Sequence, residues 1–281
     1  MVLEAIITPK EARKKPWFIA LLGFVFVSIG LWAADFIGVY KSILAITLVS
    51  VPAVPFVWRL FDFEEEEVER NVVLGSRTIA RHAPVMLVLA AFFIGLIAGF
   101  TFWYIMLPGD KVTGLFEVQT SELNNIKGSV SLSGNALLAT IDGNGRFLEV
   151  FEKVFLHNLG VLAIILLFSL LYGAGAVLVF VWNASIIAAF IGNYAKTSGA
   201  NVSLITGILQ GALGLLPHGS FELMAYLIAA LAGGIISSAV TREAHKSSTL
   251  MLVIHDGIKL TALSILFLAI GAIIESGAIV G

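Results

Sequence analysis

The sequence predicts an all-α polytopic membrane helix bundle of about six to seven helices, with a re-entrant half-helix and a small extracytoplasmic cap. Of the 281 residues, 58% are hydrophobic and only 13% are charged, and the mean hydropathy is +0.97. A soluble domain is about 45–50% apolar and about 25% charged, so a bilayer is needed to solvate this much apolar surface. Apolar runs of about 20 residues also recur along the chain, as membrane-spanning helices require.

Charge and cysteine content exclude several classes of function. The formal net charge of −2 gives no overall basic field, so we expect no nucleic-acid partner. The chain contains no cysteine, which excludes disulfides, thiolate metal sites and cysteine nucleophiles. No nucleophilic triad, phosphate-binding loop, zinc-protease motif or dinucleotide-binding glycine pattern is present. We therefore expect no enzymatic activity, no cofactor and no resident metal.

Residues 1–107 are predicted to form a three-helix membrane part. The expected spans are Trp17–Ala34, Lys41–Trp58 and Pro84–Leu107. The segment Arg59–His82 between the second and third spans is rich in glutamate, which predicts a solvated, partly helical cytoplasmic connection. The third span carries Gly95 and Gly99, and this small-residue spacing lets helix backbones approach closely in lipid.

Residues 108–153 form a polar segment that we expect to cap the bundle outside the membrane. The patterns of Gly114–Gln119 and Ser129–Thr140 favour strands. Asp142–Gly145 resembles the start of a calcium loop but lacks the required glycine and carboxylate positions, so we expect a plain turn. The segment is too short for an independent enzyme domain.

Residues 154–281 are predicted to form a membrane core with interrupted helices. The apolar stretch Val154–Phe190 is too long for one span, so its length requires a break, either at Tyr172–Gly175 or at Trp182–Ser185.

A second break is predicted at Pro217-His218-Gly219. The preceding Val202–Leu216 would rise only about 22 Å as a helix, short of the roughly 30 Å hydrocarbon core, which predicts a re-entrant half-helix. Ser220 is then placed to cap the next helix. The residues expected to serve as breaks or packing positions are Gly173, Gly175, Gly207, Gly211, Pro217 and Gly219.

Positive charge sets the expected orientation in the cell membrane. A cytoplasmic N-terminus also places most arginines of the connections inside. These basic residues are Arg59, Arg70, Arg77, Arg81, Arg242 and Lys246. Residues 108–153 and the C-terminus then lie outside the cell.

Five polar residues at membrane depth are the candidate functional groups. They are Asn183, His218, Glu222, Asp256 and Glu275. A charge at the centre of a membrane helix costs about 2.5–3.5 kcal/mol, so such groups are paired, face a cavity or lie near the interface. His218 and Glu222 are four residues apart and can hydrogen-bond if one helix carries both. For each group a capping or packing role stays open beside a proton or cation site.

A linked series of short motifs resembles the stage II sporulation protein M family. The motifs are Leu170–Gly175, Trp182–Ser185 with Ile191-Gly192, Pro217-His218-Gly219 with Glu222, Ala232-Gly233-Gly234 and Ala272–Glu275. The front half, with Ile7–Lys10 and Lys15-Pro16-Trp17, is similar to the archaeal branch. The resemblance implies a multi-spanning membrane protein. Its sporulating bacterial relatives help to assemble a wall-remodelling complex during engulfment, but archaea neither sporulate nor have that wall, so this role should not transfer.

Three functions are compatible with the sequence. The first is a non-enzymatic membrane scaffold or assembly factor, homo-oligomeric, with the lipid bilayer and other membrane proteins as partners. The second is a channel or transporter for ions or small solutes, lined by Asn183, His218, Glu222 and Glu275. The third is an intramembrane hydrolase or lipid-modifying enzyme that uses His218 and Glu222.

Overall fold

The computed structural model describes residues 7–70, 78–125, 143–198, 202–242 and 247–280, and these residues form helices and short connections. The helices are α1 (Pro9–Lys14), α2 (Pro16–Ile37), α3 (Lys41–Arg70), α4 (Thr78–Met106), α5 (Gly109–Leu115), α6 (117–125), α7 (Gly143–Tyr172), α8 (Ala176–Thr197), α9 (Leu204–Arg242) and α10 (Ser247–Val280).

Within these ranges, seven helices are long and apolar enough to cross a bilayer, which confirms the polytopic all-α fold. The candidate spans are Pro16–Ile37, Lys41–Glu64, His82–Met106, Phe147–Tyr172, Ala176–Thr197, Leu204–Thr241 and Val253–Val280. The short helices α1, α5 and α6 lie outside these spans. The three-part division of the chain at residues 107 and 153 stays a prediction.

The helices α2 and α4 pack through direct backbone contact at small residues. A Cβ atom added to Gly95 would overlap the carbonyl oxygen of Ala20, and one added to Gly23 would lie 2.8 Å from the carbonyl oxygen of Phe92. Gly99 continues the same seam one turn later. The predicted small-residue face of the third span is therefore a packing face, and its partner is α2 of the same chain.

The break that the length of Val154–Phe190 requires lies at the first of the two predicted places. The helix α7 ends at Tyr172 and α8 begins at Ala176. Gly173 has a φ of +62°, a left-handed conformation that a side chain would disfavour. A Cβ there would also lie 2.8 Å from Trp58 Cδ1. Trp182–Ser185, the alternative place, lies inside α8.

The second predicted break, at Pro217-His218-Gly219, is wrong, because α9 runs uninterrupted from Leu204 to Arg242. Pro217 removes one backbone hydrogen bond. Ending the helix there would leave up to four carbonyl and four N–H groups unpaired, and lipid cannot satisfy them. Continuing the helix costs fewer bonds. The re-entrant half-helix is therefore not a separate element, and Ser220 lies inside α9 instead of capping a new helix.

The two ends of α9 contact different helices. In the first half, a Cβ on Gly207 would lie 2.8 Å from Ala195 Cα of α8. In the second half, a Cβ on Gly233 would lie 2.7 Å from Ser169 Cβ of α7. With 39 residues, α9 is about 58 Å long, nearly twice the thickness of a hydrocarbon core. A helix of this length can pack on α8 near one membrane surface and on α7 near the other.

The segment Gly114–Gln119, predicted as a strand, is helical and joins α5 to α6. Its neighbourhood buries Val112, Leu115, Phe116 and Gln119. These positions follow the i, i+3, i+4, i+7 spacing of one helix face, which explains why a helix forms. Residues 143–145, expected in a turn, begin α7, so this helix starts before the predicted Val154. Asp142 and Ser129–Thr140 lie outside the described residues.

The charged connection Arg59–His82 was expected to be solvated, but part of it is buried. The helix α3 continues to Arg70, and α4 begins at Thr78. Glu64 is 1% exposed and His82 is 0% exposed. These two side chains therefore belong to the interior of the bundle.

Candidate functional site

Three hydrogen-bonded side chains from α7 and α9 form a polar cluster inside the bundle. Asn158 of α7 donates an Nδ2–H to Glu222 Oε1 of α9 at 2.7 Å. Tyr226, one turn after Glu222, donates its hydroxyl to Asn158 Oδ1 at 3.1 Å. Both ends of the Asn158 amide are therefore engaged, which fixes its orientation toward Glu222.

Glu275 of α10 joins this group. The two helices approach closely at Gly271, where an added Cβ would lie 3.1 Å from Glu222 Cγ. Glu275 follows Gly271 by one helical turn, which places its carboxyl group beside that of Glu222. We call Asn158, Glu222, Tyr226 and Glu275 the carboxyl cluster. A side chain at position 271 would separate the helices and with them the two carboxyl groups.

The carboxyl cluster lies at membrane depth. The candidate span that contains Asn158 runs from Phe147 to Tyr172. At a rise of 1.5 Å per residue, Asn158 lies about 16 Å along the helix axis from the first end and about 21 Å from the second. Asn158 and Tyr226 are buried, whereas Glu222 and Glu275 are half-buried. Glu275 is also only about 8 Å from the end of α10. The cluster therefore comes closest to the surface of the bundle at Glu275.

In the described part of the chain, the carboxyl cluster has no neutralising cation: no Lys, Arg or His forms an ion pair with Glu222 or Glu275. An ionised carboxyl group only accepts hydrogen bonds, so two carboxyl groups can bond to each other when one of them holds a proton. A full negative charge is costly at this depth. The arrangement can therefore hold a proton between two acidic groups.

Three of the five predicted polar residues, Asn183, His218 and Asp256, lie outside the cluster. Asn183 donates to the carbonyl oxygen of Val179 at 2.8 Å, which satisfies its amide within α8. Its partner is a carbonyl group within the unbroken helix α8, which is a packing role. Asp256 precedes Glu275 by 19 residues on α10, so the two are about 28 Å apart along the axis.

His218 and Glu222 lie on one continuous helix, one turn apart, as the hydrolase interpretation requires. Among the described residues, Glu222 nevertheless accepts its hydrogen bond from Asn158, and none joins it to His218. Gly271 of α10 packs near the backbone carbonyl of His218 instead. The His–Glu pair that this interpretation needs is therefore not formed.

The remaining predicted structural positions have different roles. Gly175 lies in the turn before α8, where a Cβ would overlap the backbone of α7. Gly211 packs on α8, and a Cβ there would make an ordinary 3.4 Å contact with Ile191 Cα. Pro217 and Gly219 lie within α9. A Cβ on Gly219 would meet no described atom within 4 Å, so this glycine opens onto a groove and does not turn the chain.

A second buried carboxylate, which sequence reasoning missed, lies near the ends of α1, α3 and α4. Glu64 accepts a hydrogen bond from the Arg13 guanidinium and lies 2.6 Å from His82 Nδ1. A hydrogen bond between these two atoms needs one proton, which lies between the imidazole and the carboxyl group. We call Arg13, Glu64 and His82 the charge-paired cluster. Here the buried negative charge faces a permanent cation.

Asn158 and Tyr226 were also missing from the sequence-based candidates, although each leaves a signal. Asn158 is an amide within an apolar run, and Tyr226 follows Glu222 by four residues, which puts both on one helix face. Glu64 offers no such signal. It is the first of four consecutive glutamates, and its partners lie far away in the sequence.

The comparisons with known proteins agree with the motifs. The family described as Stage II sporulation protein M matches residues 19–277, a range that includes the whole carboxyl cluster. The uncharacterized protein MJ0793 of Methanocaldococcus jannaschii is 26% identical over 195 residues, which cover 68% of this chain and 91% of that protein. No solved structure matches the chain. The resemblance read from the short motifs is therefore confirmed.

Proposed function

The chain belongs to the stage II sporulation protein M family, and we propose that it is a non-enzymatic membrane transporter that binds a proton at the carboxyl cluster. The observation that carries the proposal is the contact between Glu222 and Glu275, which no cation neutralises among the described residues. Ionisable residues inside membrane spans are costly and mark ion or proton pathways. Asn158 presents an N–H to Glu222, which suits a carboxyl group that exchanges a proton better than it suits a metal cation.

One-sided access to the cluster supports transport over static binding. Glu275 is half-buried near the end of α10, so a proton can reach it from the nearer membrane surface. Beyond the cluster, residues 225–232 of α9 are all buried and, apart from Tyr226, apolar. This segment separates Glu222 from the opposite surface. Movement of the helices would have to open that side, as alternating access requires.

We place the N-terminus in the cytoplasm because Arg59 and Arg242 then also lie on the positive side. Glu275 would accordingly open to the outside of the cell. The cysteine-free chain allows a direct test with single cysteines at two exposed positions, Thr113 and Thr241. An impermeant thiol reagent should label Thr113→Cys on intact cells and Thr241→Cys only after permeabilisation. The reverse pattern would overturn the orientation.

Proton flux into liposomes tests the transport proposal. The full chain is reconstituted with an internal pH-sensitive dye, and a potassium gradient with valinomycin supplies the driving potential. We expect acidification above that of protein-free vesicles for the wild type. Glu222→Gln and Glu275→Gln should fall to that background, because an amide cannot take up the proton.

The matched control is Glu149→Gln, which neutralises an exposed carboxylate that pairs with Lys153 at 2.7 Å. It should transport like the wild type. The proposal fails if the wild type gives no flux at either polarity, or if Glu222→Gln transports as fast as the wild type.

A second candidate function is a homo-oligomeric scaffold, and one feature of α7 favours it. Only 22% of the α7 span is buried, against 72% of the α9 span. Gly160 lies on the uncovered face, and a Cβ there would meet no described atom within 4 Å. Small residues on open helix faces let a second helix approach in lipid.

Cysteine crosslinking in native membranes tests this second candidate. Gly160→Cys should form a disulfide-linked dimer on oxidation, whereas Val25→Cys on the exposed face of α2 should stay monomeric. Equal crosslinking of the two variants would indicate random collision and count against a scaffold built on α7.

A further inference from the structure

A long apolar groove runs between α4, α8 and α9, separate from the carboxyl cluster. Its volume is about 620 Å³, within the range of about 300–1,000 Å³ typical of small-molecule pockets. Along α9 its lining extends from Leu204 to Leu223, about 28 Å of helix. Along α4 it extends from Phe93 to Met106, about 20 Å. These lengths approach the roughly 30 Å of a hydrocarbon core, so the groove matches a chain-like apolar ligand.

A cationic side chain stands at one end of the groove. Lys196 of α8 donates to the carbonyl oxygen of Leu107 at 3.4 Å, next to the lining residue Met106. Its ammonium lies 5.4 Å from the ring centre of Tyr104. The Lys196 side chain is exposed, and within the described ranges it has no carboxylate partner. A lysine beside an aromatic ring at a membrane surface is suited to an anionic headgroup.

A polar group also lies inside the groove. Thr101 lines it and is only 7% exposed, yet its hydroxyl has no hydrogen-bond partner among the described residues. A buried hydroxyl without a partner is costly, so a ligand atom that accepts from it would be stabilised. Thr101 lies about 8 Å from Met106 along α4. That depth suits the ester or ether oxygens that join a lipid chain to its headgroup.

We propose that this groove binds one anionic membrane lipid. A hydrocarbon chain lies between α4 and α9, the linkage oxygen accepts from the Thr101 hydroxyl, and the headgroup phosphate lies at the Lys196 ammonium. The length of the groove matches a lipid hydrocarbon chain, and the lysine favours a negatively charged headgroup. This site is independent of proton transport, since none of its residues belongs to the carboxyl cluster.

Lipid retention by the purified full chain tests the proposal. The protein is delipidated in detergent, offered phosphatidylglycerol or phosphatidylcholine, and weighed by native mass spectrometry. We expect one phosphatidylglycerol molecule to stay bound in preference to phosphatidylcholine. Lys196→Gln should lower phosphatidylglycerol retention about fivefold, as the loss of one basic group near a charged headgroup predicts. It should lower phosphatidylcholine retention less, because the choline cation already offsets the phosphate charge.

Two further variants keep the test decisive. Ala98 is exposed to the groove, so Ala98→Phe should fill it without a clash and reduce retention of both lipids. Lys111→Gln removes an exposed lysine that pairs with Asp35, and it should retain lipid like the wild type. Equal retention of the two lipids by the wild type would overturn the proposal. So would a Lys196→Gln variant that matches the wild type, or a mass that shows a second chain and no lipid.

Discussion

The two carboxylate clusters of this molecule compensate the charge of a carboxyl group inside the bundle in opposite ways. In the charge-paired cluster, Glu64 faces the Arg13 guanidinium and Nδ1 of His82. In the carboxyl cluster, Glu222 faces a second acid, Glu275, and is stabilised by an amide. In the first arrangement a permanent cation compensates the negative charge. In the second, a proton that can bind and dissociate does so.

The difference separates a structural role from a functional one. Removing one partner of a buried ion pair leaves an uncompensated charge and destabilises the fold. When one carboxyl group is removed from a pair without a cation, the remaining one can be neutralised by taking up a proton. Mutations in the first cluster should therefore lower stability, and mutations of the carboxyl groups in the second should lower proton uptake. Variants of each cluster test this division.

The largest effect is expected for Glu64→Ala. It removes the buried carboxylate that Arg13 and His82 share, so we expect a loss of about 3–5 kcal/mol in the free energy of unfolding. Thermal unfolding in detergent micelles measures it. Glu149→Gln, at an exposed pair, should change the free energy of unfolding by less than about 1 kcal/mol.

An apolar replacement sharpens this first prediction. The triple variant Arg13→Met, Glu64→Leu, His82→Leu replaces all three side chains of the cluster together, and buried ion groups replaced in this way often keep or gain stability. We expect it to recover most of what Glu64→Ala loses. A triple variant as unstable as the single one would mean that packing, not charge balance, determines the effect.

A smaller loss is expected for Tyr226→Phe in the carboxyl cluster. Without the hydroxyl, Asn158 Oδ1 stays buried and loses its donor, which costs about 1–3 kcal/mol. Tyr172→Phe is the control, because Tyr172 is 70% exposed and its hydroxyl can reach solvent. If the two variants unfold at the same temperature, Tyr226 does not fix the Asn158 amide.

A still smaller stability effect is expected for Glu222→Gln. The amide oxygen can still accept from Asn158, and the amide nitrogen can donate to Glu275, so we expect a change of less than about 1 kcal/mol in the free energy of unfolding. The same variant should abolish proton flux. A loss as large as that of Glu64→Ala would place Glu222 with the structural carboxylates and remove the division between the clusters.

Sequence reasoning succeeded where a single physical requirement decided the outcome. The apolar stretch Val154–Phe190 exceeds one span, so a break had to occur, and the glycine-rich Tyr172–Gly175 supplies it. It failed at Pro217, where two requirements compete. The local preference of proline for a helix end is weaker than the need to pair backbone groups within α9.

The candidate site was predicted in part for a related reason. Glu222 and Glu275 stand out because charges are rare in membrane spans. Their contact leaves no such signal in the sequence. It depends on the register and the separation of α9 and α10, and the close approach occurs at Gly271. Glu64 was hidden among neighbouring glutamates, because its burial depends on packing with α1 and α4.

The smallest effect concerns a third carboxylate, Glu11, which is exposed and satisfied by hydrogen bonds alone. Glu11 accepts from the backbone N–H and the hydroxyl of Thr8, closing the capping box of α1, the helix that presents Arg13 to Glu64. The Thr8 backbone N–H and hydroxyl, with smaller contributions from Lys15 and Lys14, lower the pKa of Glu11 below its ordinary value of 4.5. A lowered pKa in the folded state means stabilisation that is complete above pH 4.5 and is lost as the pH falls through the folded value.

Amide exchange in α1, corrected for its intrinsic pH dependence, should therefore quicken in acid. Glu11→Gln keeps a capping side chain that does not titrate and should show no such change. If wild type and variant respond alike, the acid sensitivity of this end of the bundle belongs to the charge-paired cluster and not to the cap.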